Sequence, residues 1–153
     1  MLRIMLPLLL ASAPAAAEVA AVQTVQKELV IVDKDGREKI VRKTADRAKP
    51  GEQVIYALRY ENVAGGPAEG MTLVMPVPGE ITYVEGSITG PRSNVTFSAD
   101  GGATYVARGR LSVTQAGKAR PATNTDITHI KWTLAEPLAA SEKGEVSFRG
   151  IVK

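Results

Sequence analysis

His129 is the only imidazole in a chain of 153 residues, and cysteine is absent. Covalent catalysis would therefore need a Ser or Thr hydroxyl activated by His129, with a carboxylate to orient the ring. No Gly-x-Ser-x-Gly turn occurs to present such a serine. His129 alternates with Ile130 and Trp132, so a strand would turn it away from the core, toward solvent or a partner. Without cysteine, disulfides, thiolate nucleophiles, iron–sulfur clusters and thiolate zinc sites are excluded. One histidine cannot form a two-histidine metal motif.

Asp33, Asp35 and Asp100 are the oxygen ligands that calcium would use. Asp33-Lys34-Asp35-Gly36 matches only the start of a calcium loop and lacks its later carboxylates. A hairpin turn accounts for the same residues without an ion. Glu61, Glu69, Glu80 and Glu85 lie in or beside loops, with no spacing that marks a general acid/base pair. Tyr56, Tyr60 and Trp132 could stack on a sugar, but their alternating positions predict a place between two sheets. Asn94-Val95-Thr96 satisfies the N-glycosylation pattern, and Asn94 also suits a turn. These residues predict no catalytic, cofactor-binding or metal-binding site.

Charge adds one exclusion. Lys and Arg number 19 against 16 Asp and Glu, and the densest basic stretch is Lys39, Arg42, Lys43, Arg47 and Lys49. Glu38 and Asp46 interrupt it and no aromatic side chain stands nearby, unlike a nucleic-acid surface with its basic face and stacking platforms. A solvated edge strand is the better reading.

Residues 1–17, MLRIMLPLLLASAPAAA, have the layout of a signal peptide: Arg3, an apolar run from Ile4 to Leu10, then small residues ending at Ala15-Ala16-Ala17. The apolar run is well short of the roughly 20 residues that span a bilayer, and Pro7 and Pro14 would break a buried helix. Cleavage before Glu18 is expected. The segment has no cysteine to carry an acyl anchor, and no later run is long enough to span a membrane. A periplasmic or secreted protein is expected.

Strands must position everything else. After a lead-in over 18–26, the apolar period is two. Glu28–Val32 and Arg37–Lys43 predict a hairpin around Asp33-Lys34-Asp35-Gly36. Val54, Tyr56, Leu58 and Tyr60 alternate on a long strand after Pro50-Gly51. Short strands follow at Met71–Met75 and Ile81–Val84, then a second hairpin, Val95–Ser98 with Thr104–Val106. Arg108–Asn124 reads as a long loop with a brief strand near Leu111–Val113. Ile130, Trp132 and Leu134, then Val146, Phe148, Gly150 and Val152, complete the pattern. Seven to nine short strands punctuated by Gly and Pro, with no helix, predict a single antiparallel β-sandwich of immunoglobulin-like type over 27–153.

Pro50-Gly51-Glu52 followed by Val54-x-Tyr56-x-Leu58-x-Tyr60-x-Asn62 resembles the opening of the bacterial domain of unknown function eleven, a repeat domain of envelope proteins. Thr82–Ser87, Ser98–Gly102, Ile127–Trp132 and Gly144–Phe148 match in the same order, so the resemblance covers roughly residues 45–153. It implies an exported β-sandwich without known catalytic residues. The expected role is a non-catalytic extracytoplasmic module acting in protein interaction or envelope structure. Its partner would be another envelope protein or a second copy, held by strand-edge or loop contacts. The Arg37–Lys43 strand would guard one sheet edge, and Glu145–Lys153, with Ile151 exposed, would offer the other. The alternative is an accessory protein binding a small ligand, glycan or calcium through loops Gly65–Gly70 or Arg108–Asn124.

Overall fold

The structure, a computed structural model, describes residues 18–153; the segment read as a signal peptide lies outside them. The described residues form β1 (Val19–Val32), β2 (Glu38–Thr44), β3 (Gln53–Asn62), β4 (Thr72–Pro76), β5 (Ile81–Tyr83) and β6 (Ser93–Ser98). After the 3-10 turn Arg108–Arg110 come β7 (Ser112–Gln115), β8 (Lys118–Pro121), β9 (His129–Leu134) and β10 (Lys143–Val152). Ten strands exceed the seven to nine expected because a hairpin, β7–β8, occupies the segment read as a long loop.

Every strand pairing is antiparallel. The larger sheet has the order β2-β1-β3-β10-β5 and the smaller one β4-β9-β6. Alternation explains how they join. On β3, Val54, Tyr56, Leu58 and Tyr60 turn inward; on β9, Ile130, Trp132 and Leu134; on β10, Val146 and Phe148. These side chains make one buried cluster between the layers, so each sheet removes the other's apolar face from water. Tyr56 stacks on Phe148 with ring centroids 5.1 Å apart, and Tyr83 of β5 meets Phe97 of β6 across the layers at 5.6 Å.

Glycine sets the closeness of two contacts. A Cβ at Gly144 would overlap the Tyr60 ring, and one at Gly150 would overlap Ile81. Both glycines lie on β10, where a side chain would push a large neighbour out of the core.

Three expectations change. Residues 18–26 are no lead-in: Val19–Gln26 is the first half of β1 and pairs with β3 from Val19 opposite Asn62 to Gln26 opposite Ile55. The Glu145–Lys153 segment is no edge: β10 lies between β3 and β5, and Ile151 is placed between Gln53 and Thr82. The far edge is the three-residue β5. The second hairpin is reduced to one bridge, Phe97 with Val106, because β6 gives its ladder to β9. The Arg37–Lys43 strand does stand at an edge, as β2.

Candidate interaction surface

The residues singled out for chemistry are placed as follows. Tyr56, Tyr60 and Trp132 are buried in the core cluster, at 8%, 3% and 1% exposure, and form no open platform. The Trp132 indole Nε1 is buried without a hydrogen-bond partner. His129 is half-buried on the outer face of the smaller sheet, with Nδ1 3.2 Å from Thr128 Oγ1. Directly opposite it on β6 is Ser98, and Asp100 is two residues on. The register thus sets a serine opposite a histidine with an aspartate two residues on, a juxtaposition the sequence reading missed because the pairing of β6 with β9 is not local.

Their hydrogen bonds do not make a catalytic relay. Ser98 Oγ is buried and donates to Asp100 Oδ1 at 2.6 Å, while it accepts the Gly102 N–H at 2.9 Å. Asp100 also accepts from the Thr104 N–H and hydroxyl at 2.9 and 2.6 Å. The hydroxyl donors hold the Asp100 carboxyl well below the usual carboxylate range, Ser98 first. Each group closes the Asp100-Gly101-Gly102 turn.

Asp33 does the same at the β1–β2 turn, where Oδ1 accepts the N–H groups of Asp35 and Arg37, each at 2.9 Å. Among the described residues no three His, Asp or Glu side chains converge as metal ligands would. Glu61 pairs with Lys143 at 3.3 Å and Glu85 with Arg108 at 3.0 Å. Asn94 is exposed on β6, opposite Thr133.

The end loops are closed on themselves. Arg120 grips Asp126 through both carboxylate oxygens, at 2.7 and 3.1 Å, and this holds the Asp126 carboxyl far below its ordinary value. Arg108 donates to Ala122 O and Asn124 Oδ1 as well as to Glu85.

What remains open is sheet. Tyr83 of β5 meets Phe97 of β6, and β4 lines a groove with β1 and β3, so the smaller sheet covers β3, β10 and β5 but covers β1 only in part: Val19 and Val25 are half-buried against the core, whereas Ala21 and Gln23 between them are exposed. The β1–β3 ladder ends at the pair Gln26–Ile55, and β1 continues with β2 as a two-stranded arm, Lys27–Thr44, whose root is tied to the sheet by Lys27 with Glu52, Glu28 with Arg149 and Arg42 with Glu145. Val30, Val32 and Ile40 of the arm are 63%, 67% and 64% exposed, and Leu29 and Ile31 on its other face are exposed as well. Isolated apolar residues on a surface are ordinary; five on one hairpin are not.

A second feature lies at the other end of β1. Val19, Ala21, Leu58, Met71, Leu73 and Val74 line an open groove of about 490 Å³ between β1 and β4. The register from Leu73 opposite Trp132 to Met75 opposite Ile130 continues outward, with Leu134 N–H donating to Met71 O and Val77 N–H to Thr128 O. Odd-numbered residues of β4 therefore occupy the bonded rungs, and Thr72 and Val74 turn their N–H and C=O to the open side.

On the outer face of the same sheet a groove of about 520 Å³ runs past Ala20, Val22 and Arg59. Its charges neutralise one another: Arg59 pairs with Glu145 at 3.0 Å and Lys143 with Glu61. Farther along, Arg149 holds Glu28 by two hydrogen bonds of 2.9 and 2.7 Å across β3, which lowers the Glu28 carboxyl. The unsatisfied surface is therefore the arm and the β1–β4 groove.

No family model, no curated protein and no solved structure matches the chain.

Proposed function

We propose that the chain is an exported, non-catalytic module of immunoglobulin-like sandwich type that acts by binding protein through its open sheet edges. The observation that carries this reading is the partly uncovered inner face of β1, with Ala21 and Gln23 exposed, beside an open β4 edge. An extended segment added there would gain main-chain hydrogen bonds from Thr72 and Val74 and bury side chains against Val19, Ala21 and Leu58. The resemblance of residues 45–153 to an envelope repeat domain and the layout of residues 1–17 support an extracytoplasmic setting. No helix of the described residues is long and apolar enough to cross a membrane.

The catalytic alternative would need Ser98 free to reach His129, and Ser98 is spent on Asp100 and Gly102. The ligand-binding alternative would need polar groups free at the loops, and Arg108, Arg120 and Asp126 are engaged there with one another's segments.

Site-specific photocrosslinking in intact cells tests the proposal. A photoreactive residue at Val74 or Ala21 should give a covalent protein adduct, and one at Ser112 on the separate hairpin should not. No adduct at either groove position would overturn it.

A further inference from the structure

We propose that the partner received by the β1–β4 groove is the β1–β2 arm of a second copy of this chain, so that molecules join head to tail. The inference rests on the reading of the chain as an interaction module and names its partner.

Three observations lead to it. Arm and groove lie at opposite ends of one strand: the groove is lined by Val19 and Ala21, and the arm begins beyond Gln26. A strand of 14 residues is about 45 Å long, so the arm of one molecule points away from its own groove. The arm offers what the groove lacks. Leu29-Val30-Ile31-Val32 is an uninterrupted apolar, mostly β-branched run, suited to an extended segment beside β4. The β4 edge matches it in length, with Thr72–Pro76 available and Pro76 marking the end of hydrogen-bond donation.

Charge agrees. Lys27–Thr44 contains six Lys or Arg and four Asp or Glu, whereas the other described residues contain twelve of each, so the arm carries the whole net positive charge of residues 18–153. The groove has no charged lining residue, and Glu18 and Glu69 stand one and two residues from its lining positions Val19 and Met71. An arm of net positive charge can enter an uncharged groove whose lining neighbours Glu18 and Glu69 in sequence, while two arms meeting at their β2 edges would set Lys39, Arg42 and Lys43 against their own copies. Symmetric pairing through the β2 edges is disfavoured, and the head-to-tail contact through the apolar run of β1 is favoured. Because that contact uses two different surfaces, it repeats in an open chain unless a ring closes.

Sedimentation velocity of the purified protein across micromolar to millimolar concentration tests the proposal. The wild-type protein should grow past a dimer as concentration rises. Leu29→Asp with Ile31→Asp should remove the donor, and Ala21→Arg should block the acceptor. Each alone should associate about tenfold or more weakly. Mixed one to one, the two variants should form a dimer and stop, because each retains the surface that the other has lost. Val74→Pro is a second acceptor variant; it deletes an open-side N–H and leaves the β9 rungs intact, which separates lost docking from lost folding. Wild-type protein that stays monomeric throughout, or variants that stay monomeric when mixed, would overturn the proposal. A monomer that still gives the Val74 adduct in cells would leave the interaction reading standing with a different partner. A monomer that gives no adduct at either Val74 or Ala21 would overturn both.

Discussion

Gln26 of β1 stands opposite Ile55 as the last pair between β1 and β3, and beyond that rung β1 has a ladder with β2 only, tied back to the sheet at its root by Lys27 with Glu52 and Glu28 with Arg149. One pair thus divides the strand. Before it, β1 is part of the sandwich wall; after it, β1 is half of an arm whose apolar residues meet water.

Trp132 is the largest fully buried side chain, and its truncation should show what the two layers share. Trp132→Ala should lose about 3–5 kcal/mol, read from urea unfolding, because the neighbouring side chains refill such a cavity only in part. Unchanged stability would contradict its place between the sheets.

Gly144 predicts a coupling. Gly144→Ala should cost about 1–3 kcal/mol by pressing a methyl group into the Tyr60 ring. Tyr60→Leu should absorb much of that cost, so the double variant should be less destabilised than the two single effects added. Strict additivity would show that the two residues do not touch.

His129→Ala should change stability by about 0.5 kcal/mol or less, and it should leave the photocrosslinks at Val74 and Ala21 intact. A large loss of crosslinking would move the functional centre to the Ser98–His129 pair.

Acid should unfold the protein through identified carboxylates. Glu28, Asp100 and Asp126 are held below their ordinary values by Arg149, by Ser98 with Thr104, and by Arg120. A carboxyl whose folded pKa is depressed stabilises the fold above its unfolded pKa, and that stability is lost as pH falls. Urea midpoints should therefore be level between about pH 7 and pH 5 and fall below about pH 4, near the unfolded carboxylate values. Asp126→Asn should lower the neutral midpoint and flatten the fall. An equal acid slope in that variant would remove Asp126 from the account.

The inward residues of the core strands were legible from sequence, although Ile55 and Ala57 on the other face of β3 are buried as well. Val54 to Tyr60, Ile130 to Leu134 and Val146 to Phe148 place their inward residues without any knowledge of partners. The first half of β1 was not. Val19, Ala21, Gln23 and Val25 mix apolar and polar residues on one face, because that face is only partly covered: Val19 and Val25 pack against the core while Ala21 and Gln23 meet solvent. Its weak pattern and its openness have the same cause. The β7–β8 hairpin was missed at its turn: Ala116 and Gly117 both take positive φ, 51° and 76°, where Asn-Gly would have been the usual signal. Strand order was out of reach, since the flanking of β10 by β5 depends on a contact some 70 residues away in the chain. The Ser98–His129 register pair depends on the same kind of pairing.

Hydrogen exchange at the Val74 amide reads the open β4 edge itself. In dilute protein its N–H should exchange with solvent rapidly, while the neighbouring Leu73 and Met75 amides, bonded to β9, stay protected. On assembly, or on binding of another partner at the groove, Val74 exchange should slow by about tenfold or more. A Val74 amide already protected in the dilute monomer, or equally fast in the assembled protein, would contradict an open β4 edge as the binding surface.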